Sequence, residues 1–207
     1  GSCTAWGIPF DIKEKIVLIK DVPISVHTTP LKANWLVFLH TSDELTLKQN
    51  KDGFYESPFK GSGKLNERVA DYIIIYEDGK EESAAIRQRR QIGMFQVRKL
   101  GEYCTESQAF HKPVPIRAHH EQLNRDWGRS QCRTIARDRS NWTNWLWAWE
   151  NPFKEKKIIG FRFEPRNKTS IIVSAITSGN VHSNPLRWQS RQKAILSLPD
   201  GTVFDPT

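Results

Sequence analysis

The sequence predicts an all-β protein, an antiparallel β-sandwich or jelly roll with a long central loop insertion. Apolar runs of strand length, separated by turn residues, recur along the 207 residues. No window of about 12 or more residues keeps a helical period with caps. Around eight to ten strands without intervening helices indicate a sandwich. A closed barrel fits less well, because the long central segment suits the end connections of a sandwich.

Three strands are expected in the first quarter of the chain. Residues 15–19 form a short apolar run. Residues 24–27 follow a proline and are expected to form an edge strand, since proline cannot donate to a central ladder. Residues 35–40 are too apolar for a surface strand, and we expect them to lie at the centre of a sheet.

A hairpin is expected next. The apolar run 70–76 is followed by Asp78-Gly79, which is a strong tight-turn signal, and 83–88 is the expected partner strand. Later in the chain, strands are expected at 157–163, 170–176 and 193–198. A single domain over 1–198 accounts for all of these runs, and 199–207 resembles a linker toward a further domain.

A tryptophan-rich segment lies between the two groups of strands. In 141–152, Trp145, Trp147 and Trp149 alternate with Leu146 and Ala148, so a strand would place all three indoles on one face. Such a row either fills the centre of a sandwich core or forms a flat platform for a ligand. Three large aromatic residues on one face of a central strand favour the core interpretation.

Other tryptophans are better platform candidates. Trp127 and Trp142 have polar, loop-like surroundings, and Trp6 and Trp188 are flanked by turn residues. An exposed indole stacks on the C–H face of a sugar ring, so these positions are the more plausible ligand contacts. Each of them could equally be a hydrophobic cap on the fold.

The charge pattern indicates an anionic partner. The chain has 31 Lys and Arg against 23 Asp and Glu, a formal net charge of +8. The basic residues concentrate in the middle third, including Arg87, Arg89 and Arg90. Guanidinium groups suit carboxylates and sulfates. A nucleic-acid partner is disfavoured because no RNA-recognition, helix-turn-helix or KH signature is present.

Several features exclude other classes of protein. No run approaches a membrane span, and no signal-peptide pattern is present, which leaves the compartment undetermined. Cys3, Cys104 and Cys132 are widely separated and indicate neither a disulfide framework nor a zinc site. Only Asp43-Glu44 and Asp78 hint at a structural calcium ion, so no cofactor is expected. Phosphate-loop and nucleophile-elbow motifs are absent.

A family resemblance covers most of the chain. The segments that show it are Gly7–Phe10, Ala33–Thr41, Asp71–Gly79, Ile86–Gly93, Trp147–Pro152 and Ile158–Phe163. In this order they resemble galactose-binding-domain-like jelly rolls, the accessory domains of large secreted bacterial proteins that degrade polysaccharides. The resemblance implies a sandwich fold, glycan recognition and a secreted or cell-surface location. The central segment 99–139 matches no pattern of that family.

The central segment contains the densest polar cluster. His119 and His120 precede Glu121, and no third ligand at a recognisable spacing supports a metal site. A ligand-binding loop is the favoured interpretation. The residues we predict to bind the ligand are Trp127, Arg129, Trp142, His119, His120 and Arg117. Glu150 is the one acid whose setting suggests a raised pKa, although a hydrogen-bonded corner before Asn151-Pro152 explains it better.

Three functions remain open from the sequence. The favoured one is a non-catalytic carbohydrate-binding module within a larger multidomain protein, for an oligo- or polysaccharide, acidic ones included. The second is a packing domain that supports a neighbouring catalytic domain. The third is a polysaccharide lyase or hydrolase, in which arginine neutralises a uronate and His119, His120 or Tyr103 transfers a proton.

Overall fold

The computed structural model describes residues 1–12, 16–43, 51–52, 66–95, 104–111 and 143–186, which hold eleven strands and no helix. The strands are β1 (Ser2–Ala5), β2 (Ile8–Asp11), β3 (Val17–Ile19), β4 (Ile24–Leu31), β5 (Trp35–Ser42), β6 (Arg68–Tyr76), β7 (Glu81–Arg87), β8 (Ser107–His111), β9 (Thr143–Glu150), β10 (Ile158–Pro165) and β11 (Ile171–Gly179). Within these ranges no helix is long and apolar enough to cross a membrane.

The strands form three antiparallel sheets. A four-stranded sheet has the order β4-β10-β6-β7, and a five-stranded sheet has the order β3-β11-β5-β9-β8. The hairpin β1-β2 forms the third sheet. The two larger sheets pack face to face, which confirms the predicted β-sandwich. The segment 112–142, which joins the neighbouring strands β8 and β9, lies outside the described residues.

Aromatic side chains fill the space between the two larger sheets. Phe38 of β5 stacks on Trp147 of the adjacent β9, with ring centroids 5.3 Å apart, and meets Tyr72 of the opposite sheet at 5.2 Å. Tyr72 in turn makes an edge contact with Phe163 at 5.0 Å. Each such pair adds about 0.5–1.5 kcal/mol beyond the burial of its apolar area. This aromatic cluster forms the centre of the main core.

The hairpin β1-β2 covers the other face of the five-stranded sheet. Val37, Leu39 and Leu146 point away from the main core and pack against Ala5 and Phe10 of the hairpin. The hairpin turns at Trp6-Gly7, where both residues have positive φ angles, of 54° and 77°. This is the two-residue turn that matches strand twist, and glycine adopts it without steric cost. The cover explains why all eight residues of β5 are buried.

Most of the expected strands are confirmed. The run 35–40 lies in β5 at the centre of its sheet, 24–27 lies in the edge strand β4, and Asp78-Gly79 joins β6 to β7. The expected strands at 15–19, 157–163 and 170–176 correspond to β3, β10 and β11. Strands β1, β2 and β8 were not predicted, because they are short and lack a clear apolar alternation. The expectation of a loop throughout 99–139 is therefore wrong at β8, which lies within that segment. The expected strand 193–198 and the linker 199–207 lie outside the described residues.

The tryptophan row is part of the interior. Trp145 and Trp147 are buried, and Trp149 is partly buried against the main core. Trp145 donates its indole N–H to the carbonyl of Met94 at 3.0 Å, so its polar atom is satisfied inside the protein. The core interpretation is therefore confirmed for this row, and a flat platform made of these three rings is excluded.

The corner after the tryptophan row is hydrogen-bonded. Asn151 is buried; its side-chain oxygen accepts from the Tyr76 hydroxyl at 2.6 Å, and its side-chain nitrogen donates to the Ala33 carbonyl at 2.8 Å. Glu150 is exposed and pairs with Lys154 at 2.8 Å. The corner explanation for this region is confirmed.

Gly93 lies directly against the buried ring of Trp145. A Cβ atom at this position would approach three atoms of that indole to 2.3–2.6 Å, which no real contact reaches. Trp145 is only 1% exposed, so the ring has no free space into which it could move. The absence of a side chain at residue 93 is therefore a packing requirement.

We predict that Gly93→Ala lowers the free energy of unfolding by about 1–3 kcal/mol, as expected for overpacking of a rigid core. Gly179→Ala is the matched control, since a Cβ there meets nothing within 4 Å, and its effect should stay within about 1 kcal/mol. Urea unfolding followed by tryptophan fluorescence measures both variants. Equal effects of the two substitutions would contradict the packing account.

Candidate ligand-binding end of the sandwich

The long connections of the sandwich leave from one end. Between β5 and β6 the chain runs over 43–67, after β7 it runs over 88–106, and between β8 and β9 it runs over 112–142. At the opposite end the connections are short, at 32–34, 77–80 and 151–157. We call the first end the connection end. Long connections on a rigid scaffold are where binding residues concentrate.

Buried polar side chains gather in the same half of the sandwich. Of the ten buried polar or charged residues in the described ranges, only Asn151 belongs to the opposite end. The other nine are His40, Thr41, Ser42, Asp71, Gln88, Gln91, Ser107, Thr143 and Thr169. A buried polar group is costly unless it is hydrogen-bonded. At the connection end, hydrogen bonds satisfy the side chains of His40, Ser42, Asp71, Gln88, Gln91 and Ser107, whereas the hydroxyls of Thr41 and Thr169 have no partner in the described ranges. We call this end the polar platform of the sandwich.

A tight turn after β7 presents three arginines on this platform. Within Arg87–Ile92, the backbone N–H of Arg89 donates to the carbonyl of Ile92 at 2.7 Å, and Arg89 has a positive φ of 60°. The side chain of Gln91 accepts from the backbone of Arg87 at 2.9 Å and donates to Glu106 at 2.6 Å. The buried glutamine thus fixes the turn, which we call the arginine turn.

Residues 93–95, which follow the arginine turn, form hydrogen bonds with β5 and β9 of the five-stranded sheet. The backbone of Ser42 donates to the carbonyl of Gly93 at 3.0 Å, and the backbone of Thr143 donates to the carbonyl of Phe95 at 2.8 Å. His111 lies opposite Thr143 in the β8-β9 pair. The segment 112–142 therefore starts and finishes at the connection end, although its own residues are outside the described ranges.

His40 joins the arginine turn to both sheets. Its Nε2 lies 2.9 Å from the carbonyl oxygen of Gln91, which can only accept, so Nε2 is the protonated nitrogen. Its Nδ1 then accepts from the hydroxyl of Tyr72 at 2.9 Å. Burial lowers the pKa of His40 to about 4 and raises the pKa of Tyr72 well above its usual value. Both groups are neutral at pH 7 and act as structural links.

Three arginines, one of which also belongs to the arginine turn, lie side by side on the outer face of the four-stranded sheet. Arg166 follows β10, Arg68 begins β6 and Arg87 ends β7, and these strands are neighbours in that order. The Nε groups of Arg68 and Arg166 both donate to the carboxylate of Asp71, at 2.6 Å for Arg68. The Asp71 side chain is fully buried, while Arg68 and Arg166 are 45% and 44% exposed. We call Arg68, Arg87 and Arg166 the arginine row.

The arginine row differs from the other basic residues of this sheet. Arg162, on the same face, is saturated, with both terminal nitrogens on Glu81 and its Nε on Glu164. Arg87 donates to the backbone carbonyl of Asn66 at 3.1 Å, and no described carboxylate pairs with it. Arg90, in the arginine turn, is paired with Glu106.

Sequence reasoning identified only part of this constellation. The basic segment at Arg87, Arg89 and Arg90 was noted, but Arg68, Asp71 and Arg166 were not. The available signal was the alternation of Arg162, Glu164 and Arg166, which places three charges on one face of a strand. The link between residues 71 and 166 comes from sheet register and cannot be read from spacing.

The residues predicted to bind the ligand are not among those described. Trp127, Arg129, Trp142, His119, His120 and Arg117 all lie outside the described residues, as do Trp188, Tyr103 and Cys132. Trp6 is described; it is half-exposed on the hairpin and donates its indole N–H to the carbonyl of Ala109 at 3.0 Å. It lies on the layer that covers the five-stranded sheet, away from the arginine row.

The described residues provide no metal centre. No group of three His, Cys, Asp or Glu side chains that could hold a metal ion occurs in the described ranges. Asp43 accepts from the backbone of Ser170 at 2.9 Å, and Asp78 accepts from Lys80 and pairs with Lys156. Neither Cys3 nor Cys104 forms a disulfide. Asp43 and Asp78 thus have turn and ion-pair roles, and Glu44 lies outside the described residues.

Comparison with known proteins gives no further assignment. No protein-family model, no curated protein and no solved structure matches the chain.

The buried His40 predicts a specific dependence of stability on pH. Its pKa is about 4 in the folded protein against an ordinary value of 6.5, so the unfolded chain takes up a proton first as the pH falls. The stability that His40 contributes is fully present above pH 6.5 and is lost between pH 6.5 and 4. The loss amounts to about 3 kcal/mol.

Urea unfolding at pH 7.5 and 4.5 tests this dependence. We expect His40→Gln to lose about 2–3 kcal/mol less than the wild type on acidification, because Gln does not titrate. His27→Gln, at an exposed position of β4, controls for removal of a histidine. A wild-type pH dependence in His40→Gln would contradict the account. As an independent check, the His40 imidazole resonance should not titrate between pH 5 and 7.

Proposed function

We propose that the protein is a non-catalytic module that binds an oligo- or polysaccharide, preferably an anionic one, at the connection end. The observation that supports this most is the meeting of the long connections with a rigid, arginine-bearing platform. The segment 112–142 alone has seven Lys and Arg against three Asp and Glu, a net +4. Half of the formal net charge of +8 thus belongs to a segment that starts and finishes there.

The chemistry of the platform suits carboxylate or sulfate groups. Guanidinium groups form paired hydrogen bonds with planar or tetrahedral oxyanions. The arginine turn is fixed before any ligand arrives, since Gln91 and His40 hold its backbone. Little ordering of the protein is then needed on binding. Trp127 and Trp142, in or next to the basic segment, would supply stacking surfaces for the sugar rings.

The hydrogen-bond partners of the acidic residues favour a binding role over acid–base catalysis. Among the described residues of the connection end, Asp43 and Glu67 accept hydrogen bonds from Ser170 and Asn167. Asp71 and Glu106 are held by arginines. A general base needs a free lone pair close to its substrate. Each of these four carboxylates already serves as a structural acceptor, which supports the non-catalytic proposal.

A packing domain is the second candidate, and one surface favours it. Ile16, Leu18 and Val22 are 49%, 50% and 65% exposed and lie on or beside the edge strand β3. An apolar strip at a sheet edge is typical of a surface covered by another protein part. This strip lies on a different sheet from the arginine row, so the two roles are separable by experiment.

A glycan-array screen at low and moderate salt tests the proposed function. We expect salt-tolerant binding to a defined set of glycans, with loss of about 1–3 kcal/mol of affinity when one stacking indole is removed in Trp127→Ala or Trp142→Ala. Trp6→Ala is the control for removal of an indole, because Trp6 is half-exposed on the hairpin β1-β2, on a different layer from the arginine row. Tight binding should remain in that control.

Two outcomes of the screen would overturn the proposal. Binding to no glycan would favour the packing domain. Release of unsaturated or reducing ends from a bound polymer would show catalysis and would favour the lyase or hydrolase alternative.

A further inference from the structure

We propose that the arginine row, Arg68, Arg87 and Arg166, is an oxyanion-binding subsite for the sulfate or carboxylate groups of a linear polyanion. This inference deepens the proposed function, and the identity of the natural ligand rests on that function. The oxyanion chemistry itself stands on the geometry of the three side chains.

The three arginines are spaced by the sheet. They belong to neighbouring strands at the same end, and adjacent strands lie about 4.8 Å apart. Arg68 and Arg87 are direct partners in the β6-β7 register. The row therefore presents positive charges at regular intervals across three strands. Such an array matches a chain molecule with repeated negative groups better than one small anion.

Asp71 orients two members of the row. Its two oxygens accept the Nε groups of Arg68 and Arg166, and its side chain is fully buried beneath them. Because Asp71 accepts from the Nε group, the two terminal nitrogens of Arg68 remain able to donate to a ligand. In the described residues none of them makes a hydrogen bond with a protein group. Arg166 uses one terminal nitrogen on Glu164, at 2.8 Å, and retains the other.

The electrostatics of the row leave positive charge uncompensated. Among the described residues, Arg68 has only the buried carboxylate of Asp71, which it shares with Arg166. Arg166 also pairs with Glu164, which it shares with Arg162, and no described carboxylate pairs with Arg87. Like charges directly opposite each other in an antiparallel pair are destabilising, and Arg68 faces Arg87 in this way. A bound oxyanion would relieve that repulsion. Arg162, which is fully paired with Glu81 and Glu164, has no such deficit.

The surface around the row favours a glycan over a nucleic acid. Single-stranded nucleic acids bind by stacking bases on exposed aromatic rings. The aromatic residues of this sheet, Tyr72, Tyr76, Phe161 and Phe163, all point into the main core. Among the described residues of its four strands, the outer face beside the row thus offers charge without aromatic platforms. We therefore assign the row to a polymer recognised there through its charged substituents.

Binding measurements on matched variants test the subsite. Isothermal titration with dextran sulfate and polygalacturonate, with neutral dextran and single-stranded DNA as comparison ligands, is performed on Arg87→Gln, Arg68→Gln and Arg162→Gln. Each variant loses one positive charge on the same sheet face. Arg87→Gln leaves no described carboxylate without its partner, so it keeps the test valid if Arg68→Gln is unstable.

The expected result is binding of a sulfated or carboxylated polymer that weakens about tenfold in Arg87→Gln and Arg68→Gln. Arg162→Gln should weaken it less than about twofold, as a general charge effect. The more tightly bound of the two polymers identifies the preferred oxyanion. Equal weakening in Arg162→Gln, tighter binding of single-stranded DNA, or polyanion binding that is unchanged in the row variants would each overturn the inference.

Inorganic sulfate separates a failure of the subsite from a failure of the proposed function. Against chloride at equal ionic strength, sulfate should raise the melting temperature of the wild type more than that of Arg87→Gln, whereas Arg162→Gln should behave as wild type. This result without binding to any glycan would support the subsite and overturn the glycan function. Glycan binding without this sulfate difference, and unaffected by the row variants, would overturn the subsite alone.

Discussion

The imidazole of His40 is the point at which the two sheets and the arginine turn are joined. It belongs to β5 of the five-stranded sheet, accepts from Tyr72 of the four-stranded sheet, and donates to the backbone of Gln91 in the turn. The ring also lies parallel to the indole of Trp147, at 6.3 Å between centroids. Because all three contacts are buried, the turn has a rigid base. The backbone of the arginine turn is therefore fixed directly to the packed core.

Buried apolar side chains and most buried polar side chains lie in different parts of the sandwich. The aromatic core and the hairpin β1-β2 cover both faces of β5 and supply the apolar burial that folding requires. Most buried polar groups lie at one end and have partners there: Gln88 and Ser42 bond each other, and Asp71 is held by two arginines. A buried carboxylate is costly unless it is paired. Asp71 thereby fixes charged groups on the surface above it.

The sequence predicted the class of fold well and the site only in part. The apolar runs and Asp78-Gly79 have local signals, so β5, β6, β7, β10 and β11 could be expected. The tryptophan row stayed ambiguous, because its surroundings come from Phe38 and Met94, distant in the chain. Arg68 and Arg166 are joined through Asp71 only by sheet register. Trp127, Arg129, Trp142, His119, His120 and Arg117 stay predictions, since they lie outside the described residues.

The most direct test of the central claim is an NMR titration of the protein with polygalacturonate, followed through backbone amide shifts. We predict shifts at 66–68, 87–92 and 166–170, the described parts of the connection end that carry the arginine row and the arginine turn. The opposite end provides an internal comparison, because Lys154, Lys156 and Lys157 are basic there but each is paired with a carboxylate. Shifts confined to 77–80 and 151–157, or spread evenly over both ends, would contradict the claim.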